Sequence, residues 1–548
     1  MRDQDRIDDC RSRGDVVGAR GARETNPRSD RGQVAIDLLL CVLIVIIPLI
    51  AYWPVLRSGF VSDDFVWHQF FRNSPAEIIE KIRWQRAGLV ELAYFRPTVV
   101  AGYQLDYRLW GDSAFAFHLT NVILHSLNAA LLYLLARAVG MSRFGATAAG
   151  IFFAIYPANS EAVTWISARA DELALLFLLA GLLAWSAARL RADHRWIGLS
   201  ALMFLIAVGA KESAAAGILI LPLIDWLLRR RVAVEQERVL RPCWTGYLVY
   251  LAIVAAVIAF RFWMFGDIGG MRGPGDTAAY LETDLPQVWS ALVLHDLWVM
   301  VTPVSRILWP DWPYAWRIAA LATGAVLAVA LLIGTLAAML TSGRERASLR
   351  FIVVGILWII IMLLPLIPLQ PASILLARSR YLYASSAGLA LWIGGVAGLS
   401  FRGGMIAKTA SIVMLAAIVA LSTFAIRDYG KLWLQSGEIA GEMHRVMATN
   451  TSHLADDANL YVVNFPWRVK GVPCAPFRYG EYLEFLYGFK RVHTHRVRRS
   501  GRQVLPWWLG VRDSAEGPVA GFVWDGAGGQ LLVLPQPQAD PIPAESAR

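Results

Sequence analysis

The chain has 548 residues, of which 56% are hydrophobic and 17% charged, with a formal net charge of +10. A soluble globular domain averages about 45–50% apolar and about 25% charged residues, so these proportions exclude an ordinary soluble enzyme, a disordered chain and a disulfide-stapled scaffold. The 46 Arg outnumber the 6 Lys, but no basic stripe accompanies a nucleic-acid reader motif, and nucleic acid is not an expected partner.

Taken in chain order, residues 1–33 hold eight Arg and seven acids with no apolar run, which predicts a disordered cytoplasmic tail. The run 34–56 is too long for a signal-peptide core and has no small-residue cleavage site, so it is expected to be retained as a helix. Arg137 and Arg143, Arg189 to Arg195, Arg229 to Arg231, Arg344 to Arg350, and Arg402 with Lys408 then fall in short links. The positive-inside rule makes all of these links cytoplasmic, and each intervening stretch must cross the membrane an even number of times.

Parity resolves the ambiguous runs. A single helix over 196–228 would be about 50 Å long against a hydrocarbon core of about 30 Å. Two helices with an apex at Ala210 to Ser213 satisfy both length and charge, and the same reasoning splits 144–190 around Pro157 to Asp171. The resulting spans are 34–56, 118–137, 144–157, 171–190, 196–210, 214–228, 245–264, 318–340, 352–369, 381–400 and 409–427. The expected fold is an all-α polytopic membrane bundle of about eleven transmembrane helices occupying 34–427. Its first extracytoplasmic loop is 57–117. Residues 428–548, with strand-like runs at 459–464 and 531–534, are expected to form a small mixed α/β extracytoplasmic domain. The apolar stretch 286–304 would break parity and carries His295 and Asp296, so it reads as a re-entrant or interfacial helix outside the membrane count. The segment from Gly266 to Gly275 reads as a lid or linker. This topology puts the N-terminus in the cytoplasm and the C-terminus in the periplasm of a bacterial inner membrane.

The charged residues near membrane depth then collect on the non-cytoplasmic side: Asp63 and Asp64, then Glu161, Arg169 and Asp171, then Lys211 and Glu212, then Arg378 and Arg380. Burying such groups costs several kcal/mol unless they pair or line a wet cavity, so one shared cavity at the outer boundary is expected. Adjacent carboxylates such as Asp63 and Asp64 can divide the roles of base and orienter, against the blander reading of a solvated acidic turn. His118, Asn121, His125 and Asn128 share one helical face. That pattern predicts a polar seam between helices, with His118 near enough to the outer end to reach the cavity. Arg378 and Arg380 offer planar donors suited to a phosphate, and Lys211 a point charge, unless it merely pairs with Glu212 or Asp171. Cys10, Cys41, Cys243 and Cys474 are far apart, and no metal or nucleotide motif stands at a credible position.

Gly59-Phe-Val-Ser-Asp-Asp-Phe65 resembles the opening of the first lumenal loop of polytopic GT-C glycosyltransferases. Several further segments resemble the membrane part of the transmembrane-and-tetratricopeptide O-mannosyltransferase-like proteins. These are Tyr94 to Thr98, which includes Arg96, Asp106 to Gly111, Phe117 to His125, Tyr156 to Arg169, Lys211-Glu212 and Arg380 to Tyr383. The resemblance spans about 55–430. It implies transfer of a sugar from a polyprenyl-phosphate carrier to an acceptor on the outer face, with inversion at the anomeric carbon. It makes Asp63 or Asp64 the catalytic carboxylate, assigns the lipid phosphate to Arg378, Arg380 and Lys211, and sets Glu161, Arg169, His118 and Arg96 around the substrate. No cofactor is required, because the donor is already activated, although a divalent metal is compatible with the chemistry. Tyr156 and Asn159 depart from the family pattern, and the repeat array that would present protein acceptors is missing, so protein O-mannosylation is not carried over: the acceptor is a lipid, glycan or protein, and a lipid, glycan or envelope polymer is as plausible as a protein. The competing readings are an O-antigen polymerase or ligase, a transporter, and a non-catalytic envelope scaffold. A transporter would show repeats and polar residues at the bilayer midplane, and neither is visible.

Overall fold

The computed structural model describes residues 27–65, 67, 96–235, 240, 243–265, 314–341, 346–366, 379–451, 458–466, 468–470, 472–474, 492–514, 519–525, 528 and 530–535. The expectations for 266–275, for 286–304 and for Arg378 fall outside these residues. Two compact units are present, Met1–Leu43 and Ile44–Arg548; the first includes the beginning of helix α1 (Pro27–Ala51).

Seven helices among the described residues are long and apolar enough to cross a membrane: Gly32–Ala51, Ala114–Ala138, Ile166–Arg191, Trp244–Met264, Arg346–Leu363, Ser379–Ser400 and Met405–Asn450. Three shorter apolar helices, Arg143–Ile155, Arg195–Ala210 and Gly324–Leu340, coincide with other expected spans. Length and composition alone therefore do not reproduce a count of eleven. A helix of 13 residues rises only about 20 Å, so Arg143–Ile155 needs the irregular segment that follows it to reach the other surface.

After α1 come a 3-10 turn (Trp53–Arg57) and α2 (Pro97–Trp110), which lies within the expected first loop. Next are α3 (Ala114–Ala138) and α4 (Arg143–Ile155), each started by a serine. Ser113 and Ser142 accept hydrogen bonds from the amides of Ala116 and Gly145, supplying the missing first-turn acceptor. The bundle continues through α5 (Ser160–Thr164), α6 (Arg169–Arg191), α7 (Arg195–Ala210), α8 (Leu221–Glu235) and α9 (Trp244–Phe265). Then follow α10 (Tyr314–Leu340), α11 (Arg346–Leu363), α12 (Tyr383–Ser400) and α13 (Met405–Thr451). The expected apex after Ala210 is where α7 stops and a 3-10 segment, Glu212–Leu219, begins.

The helix contacts rely on close backbone approach. A Cβ on Gly355 would sit 2.5 Å from the Gly388 carbonyl oxygen, and one on Gly388 would sit 2.6 Å from that of Gly355. Small residues at such crossings substitute for a hydrophobic driving force that lipid does not supply. Large apolar side chains face outward along α9, α10 and α13, among them Leu248, Leu251, Leu332, Ile333, Ile412 and Val413. On a soluble protein such a surface would aggregate; around a bundle it matches a lipid boundary.

One difference concerns the end of the last span. Helix α13 runs unbroken over 47 residues, about 70 Å, so 427 is not a helix terminus. Beyond that point Lys431 pairs with Asp428 and Arg445 with Glu442, each at 2.9 Å and i,i+3, and such pairs support an exposed helix face. Strands β1 (Ala458–Val463), β4 (Val492–Val497), β5 (Val519–Asp525) and β6 (Gln530–Val533) form one sheet in the order β4-β1-β5-β6. The first three are parallel and β6 is antiparallel to β5. A short pair, β2 (Arg468–Val469) with β3 (Val472–Pro473), stands apart. The strand-like runs at 459–464 and 531–534 correspond to β1 and β6. Helix α14 (Gly501–Ser514) packs Val504 and Trp508 on Val463, Val519 and Leu534.

Candidate functional site

The segment between α4 and α6 is helix in fragments: a 3-10 turn at Pro157–Asn159, the short α5, and a second 3-10 turn at Ile166–Ala168. Nearly all of it is buried, and irregular backbone at this depth is tolerated only where protein encloses it. It supplies Glu161, Trp165 and Ser167, and α6 opens on Arg169.

Asp63 and Asp64 stand on a turn pinned from two sides. Gly59 packs so closely on α13 that a Cβ on Gly437 would lie 2.6 Å from the Gly59 amide nitrogen. The Ser58 hydroxyl donates to the Trp433 carbonyl at 2.9 Å. Ser62 adopts a left-handed φ of 51°, sparsely populated for a non-glycine residue, and its amide donates to the Cys474 carbonyl at 3.1 Å. The two carboxylates are thereby separated in environment. Asp64 is 1% exposed. Its Oδ1 accepts from the Ser167 amide at 2.8 Å and from the Ser167 hydroxyl, and its Oδ2 accepts from the Val61 amide at 2.9 Å. Burial pushes the Asp64 carboxyl up to about 7, against the lowering influence of these hydrogen bonds. Asp63 is only partly buried and lies close enough to Arg380 to act on it electrostatically.

Glu161 and Arg380 form the centre of the cluster. The Arg380 guanidinium meets Glu161 Oε1 at 2.8 Å, while its own backbone amide donates to Oε2 at 3.1 Å. It also stacks 4.5 Å from the Trp165 ring centroid and 4.8 Å from that of Tyr381. On the same Tyr381 ring, at 4.9 Å, sits the Lys211 ammonium, which is paired with Asp171. Two cations thus flank one aromatic ring, each balanced by its own carboxylate. The Arg380 side chain keeps 21% of its surface open.

The other expected site residues are engaged elsewhere. Arg169 is 0% exposed and meets Asp106 at 2.7 Å, Asn121 Oδ1 at 2.7 Å and the Phe117 carbonyl at 2.9 Å, with its guanidinium 4.6 Å over the Tyr103 ring. Every face of that guanidinium is occupied by protein. Arg96 joins Arg261 on opposite oxygens of Glu212, at 3.0 and 2.9 Å. Burial alone would push Glu212 up, but the two arginines hold it down to about 2. His118 is fully buried beside the backbone of Ser58, Gly59 and Thr164. Asn121, His125 and Asn128 form the expected seam. Asn121 donates to the Trp165 carbonyl at 3.2 Å, and His125 and Asn128 meet the Tyr383 hydroxyl at 2.8 and 3.1 Å.

The sequence reasoning missed Ser167, Trp165, Tyr381, Asp106 and Arg261 as participants. Arg261 carried a visible signal, a lone cation inside an apolar run. Ser167 and Trp165 carried none, since their roles arise only from contacts with Asp64 and Arg380. No cluster of His, Cys, Asp and Glu able to hold a metal occurs among the described residues.

No family model matches the chain. It is similar to protein O-mannosyl-transferase Tmtc1 of Drosophila melanogaster, 34% identical over 133 residues, which are 24% of this chain and 16% of that one. Against protein O-mannosyl-transferase Tmtc2 of the same organism it is 27% identical over 295 residues, 50% of this chain and 29% of that one. Against human TMTC1 it is 35% identical over 143 residues, 24% and 16% of the two chains. The chain thus spans less than a third of the length of each of these three relatives. The resemblance read from the motifs to O-mannosyl-transferase-like membrane proteins is borne out by this similarity. Among solved structures, the archaeal oligosaccharyltransferase AglB from Archaeoglobus fulgidus superposes with a TM-score of 0.46 at 12% identity, covering 84% of this chain and 64% of that one. The arabinofuranosyltransferase AftD from Mycobacteria gives 0.44 at 15% identity, covering 83% and 32%.

Proposed function

We propose that this chain is a membrane glycosyltransferase that moves a sugar from a polyprenyl-phosphate-linked donor to an acceptor hydroxyl at the extracytoplasmic face of a membrane, in the bacterial case the inner membrane. The observation that carries this reading is the convergence of the Glu161–Arg380 and Lys211–Asp171 ion pairs on the Tyr381 ring, with Asp63 within electrostatic reach of Arg380. Similarity to the O-mannosyl-transferases supports a glycosyl transfer reaction.

In this reading the two aspartates have different tasks. Asp63 takes the proton of the acceptor hydroxyl as its oxygen attacks the anomeric carbon from the side opposite the phosphate, which inverts the configuration. The bond between that carbon and the phosphate oxygen breaks, and the electron pair leaves with the lipid phosphate. Arg380 and Lys211 stabilise the charge that develops there. Asp64 is a positioning residue: with both oxygens engaged by Val61 and Ser167, it holds Asp63 in place and has little capacity for substrate. Glu161 orients Arg380, and Arg169 and Arg96 stiffen the surrounding loops.

Donor-dependent sugar transfer by the purified full-length chain in lipid nanodiscs tests the reading. Asp63→Asn is expected to lower the rate by about two to four orders of magnitude, the range of a lost general base, with an unchanged melting temperature. Full activity in that variant would overturn the assignment.

A further inference from the structure

The β1 and β4 strands lie side by side and parallel, in the register Ala458 with Val492 through Val463 with Val497. Their carboxyl ends therefore open at one edge. The chain leaves β4 through α14 and returns on the far side of β1 as β5. In open sheets a ligand crevice forms outside the carboxyl ends of such strands, where successive connections depart in opposite directions.

An open cavity of about 710 Å³ lies at that edge, lined among others by Asn464, Arg468, Arg498, Arg499, Ser500 and Gln503. Three of its described lining residues are cations and none is a carboxylate. The arrangement is held in advance. Asn464 takes a left-handed φ of 55°, and its side chain clips the turn after β4, donating to the Arg499 carbonyl at 2.8 Å and accepting from the Arg499 amide at 3.0 Å. The Arg499 guanidinium stacks 5.7 Å from the Trp507 ring. Adjacent arginines at the rim of a concavity, such as Arg498 and Arg499, are complemented by an anion, and guanidinium groups match phosphate oxygens in planar, two-pronged geometry.

We propose that this cavity is a binding site for a phosphate-bearing ligand, with the phosphate held by Arg498 and Arg499 and by the side chains of Ser500 and Gln503. The phosphate belongs either to a lipid headgroup or to a soluble phosphorylated compound. The residues that hold the phosphate are distinct from those around Tyr381, and its binding can be read without the transfer reaction.

The test uses the full-length protein in zwitterionic detergent. One arm titrates inorganic pyrophosphate by calorimetry; the other titrates short-chain phosphatidic acid, read by native mass spectrometry. Saturable one-to-one binding is expected in at least one arm, and the responding arm distinguishes the source of the phosphate. R498A/R499A is expected to weaken that binding by about tenfold or more, the scale of lost charge-assisted hydrogen bonds. Should the double variant melt at a lower temperature, R498Q alone serves in its place, with a smaller loss in the same direction. The proposal is overturned if neither probe saturates, or if a stably folded variant binds as tightly as the parent chain.

Discussion

Replacing Arg169 with Met separates a clamp from a substrate contact. Met retains much of the side-chain volume, so the loss is electrostatic rather than a cavity. The substitution strips Asp106, itself 4% exposed, of its ion partner at 2.7 Å, and among the described residues leaves it the Thr120 hydroxyl at 3.0 Å. It also removes the donors to Asn121 and to the Phe117 carbonyl. Breaking a buried pair by deleting one partner costs about 3–5 kcal/mol, because the surviving charge stays desolvated. Arg169→Met is therefore expected to lower stability by about that amount, read as the melting temperature of the protein in detergent or nanodiscs. Adding Asp106→Asn removes the orphaned charge, so the double variant should recover at least about 1–2 kcal/mol of the loss, a coupling typical of residues in direct contact. Donor affinity per folded molecule should change little in either variant. A single variant that melts like the parent chain but no longer binds donor would refute the clamp and make Arg169 a substrate contact. A double variant no more stable than the single one would show that the pair is not the source of the cost.

Asp64, pushed up to about 7 by burial, ionises in the unfolded chain near its ordinary value of about 4. Between those values the folded state holds the extra proton, so stability contributed by the neutral carboxyl is full below about 4 and is lost as pH rises to about 7. The melting temperature of the parent chain minus that of Asp64→Asn should fall across this window and level off above it; a difference independent of pH would refute the assignment. Arg380→Ala should weaken donor binding by about tenfold or more while leaving acceptor binding in place, and an unchanged donor dissociation constant would remove its proposed role. Asp225 is 1% exposed and joins α6, α8 and α9 through Arg189 at 2.6 Å, Arg229 at 2.7 Å and the Tyr247 hydroxyl at 3.0 Å. Because Arg229 is 36% exposed and regains water, Asp225→Ala should cost only about 1–3 kcal/mol, with the rate of sugar transfer intact; a loss of transfer without a change in melting temperature would contradict a purely structural clasp.

Much of the architecture was legible because membrane helices obey one-dimensional rules. Length, apolarity and the placement of Arg clusters depend on chain position alone, so the break at Ala210 and the fragmented stretch after Ile155 could be located from residues. Where helices stop was less legible. Helix α13 continues past 427, with i,i+3 pairs on its exposed face and close packing against Ser58 and Gly59, whereas hydropathy marks only where the apolar part of a helix ends.

The chain's composition and charge pattern by themselves determined that it is a polytopic helical bundle and singled out its ionisable residues near membrane depth, since desolvation makes such residues conspicuous wherever they occur. They could not distribute the roles. Asp63 and Asp64 are adjacent and chemically identical, yet one is saturated by Ser167 and Val61 and the other lies within the field of Arg380. Arg169 and Arg380 sit on comparable turns, yet one is sealed beneath Tyr103 and the other keeps an open edge. Only tertiary structure decided this, because an ionisable group's function is set by the partners that surround it, and the deciding partners, Ser167 for Asp64 and Glu161 for Arg380, are 103 and 219 residues away in the chain.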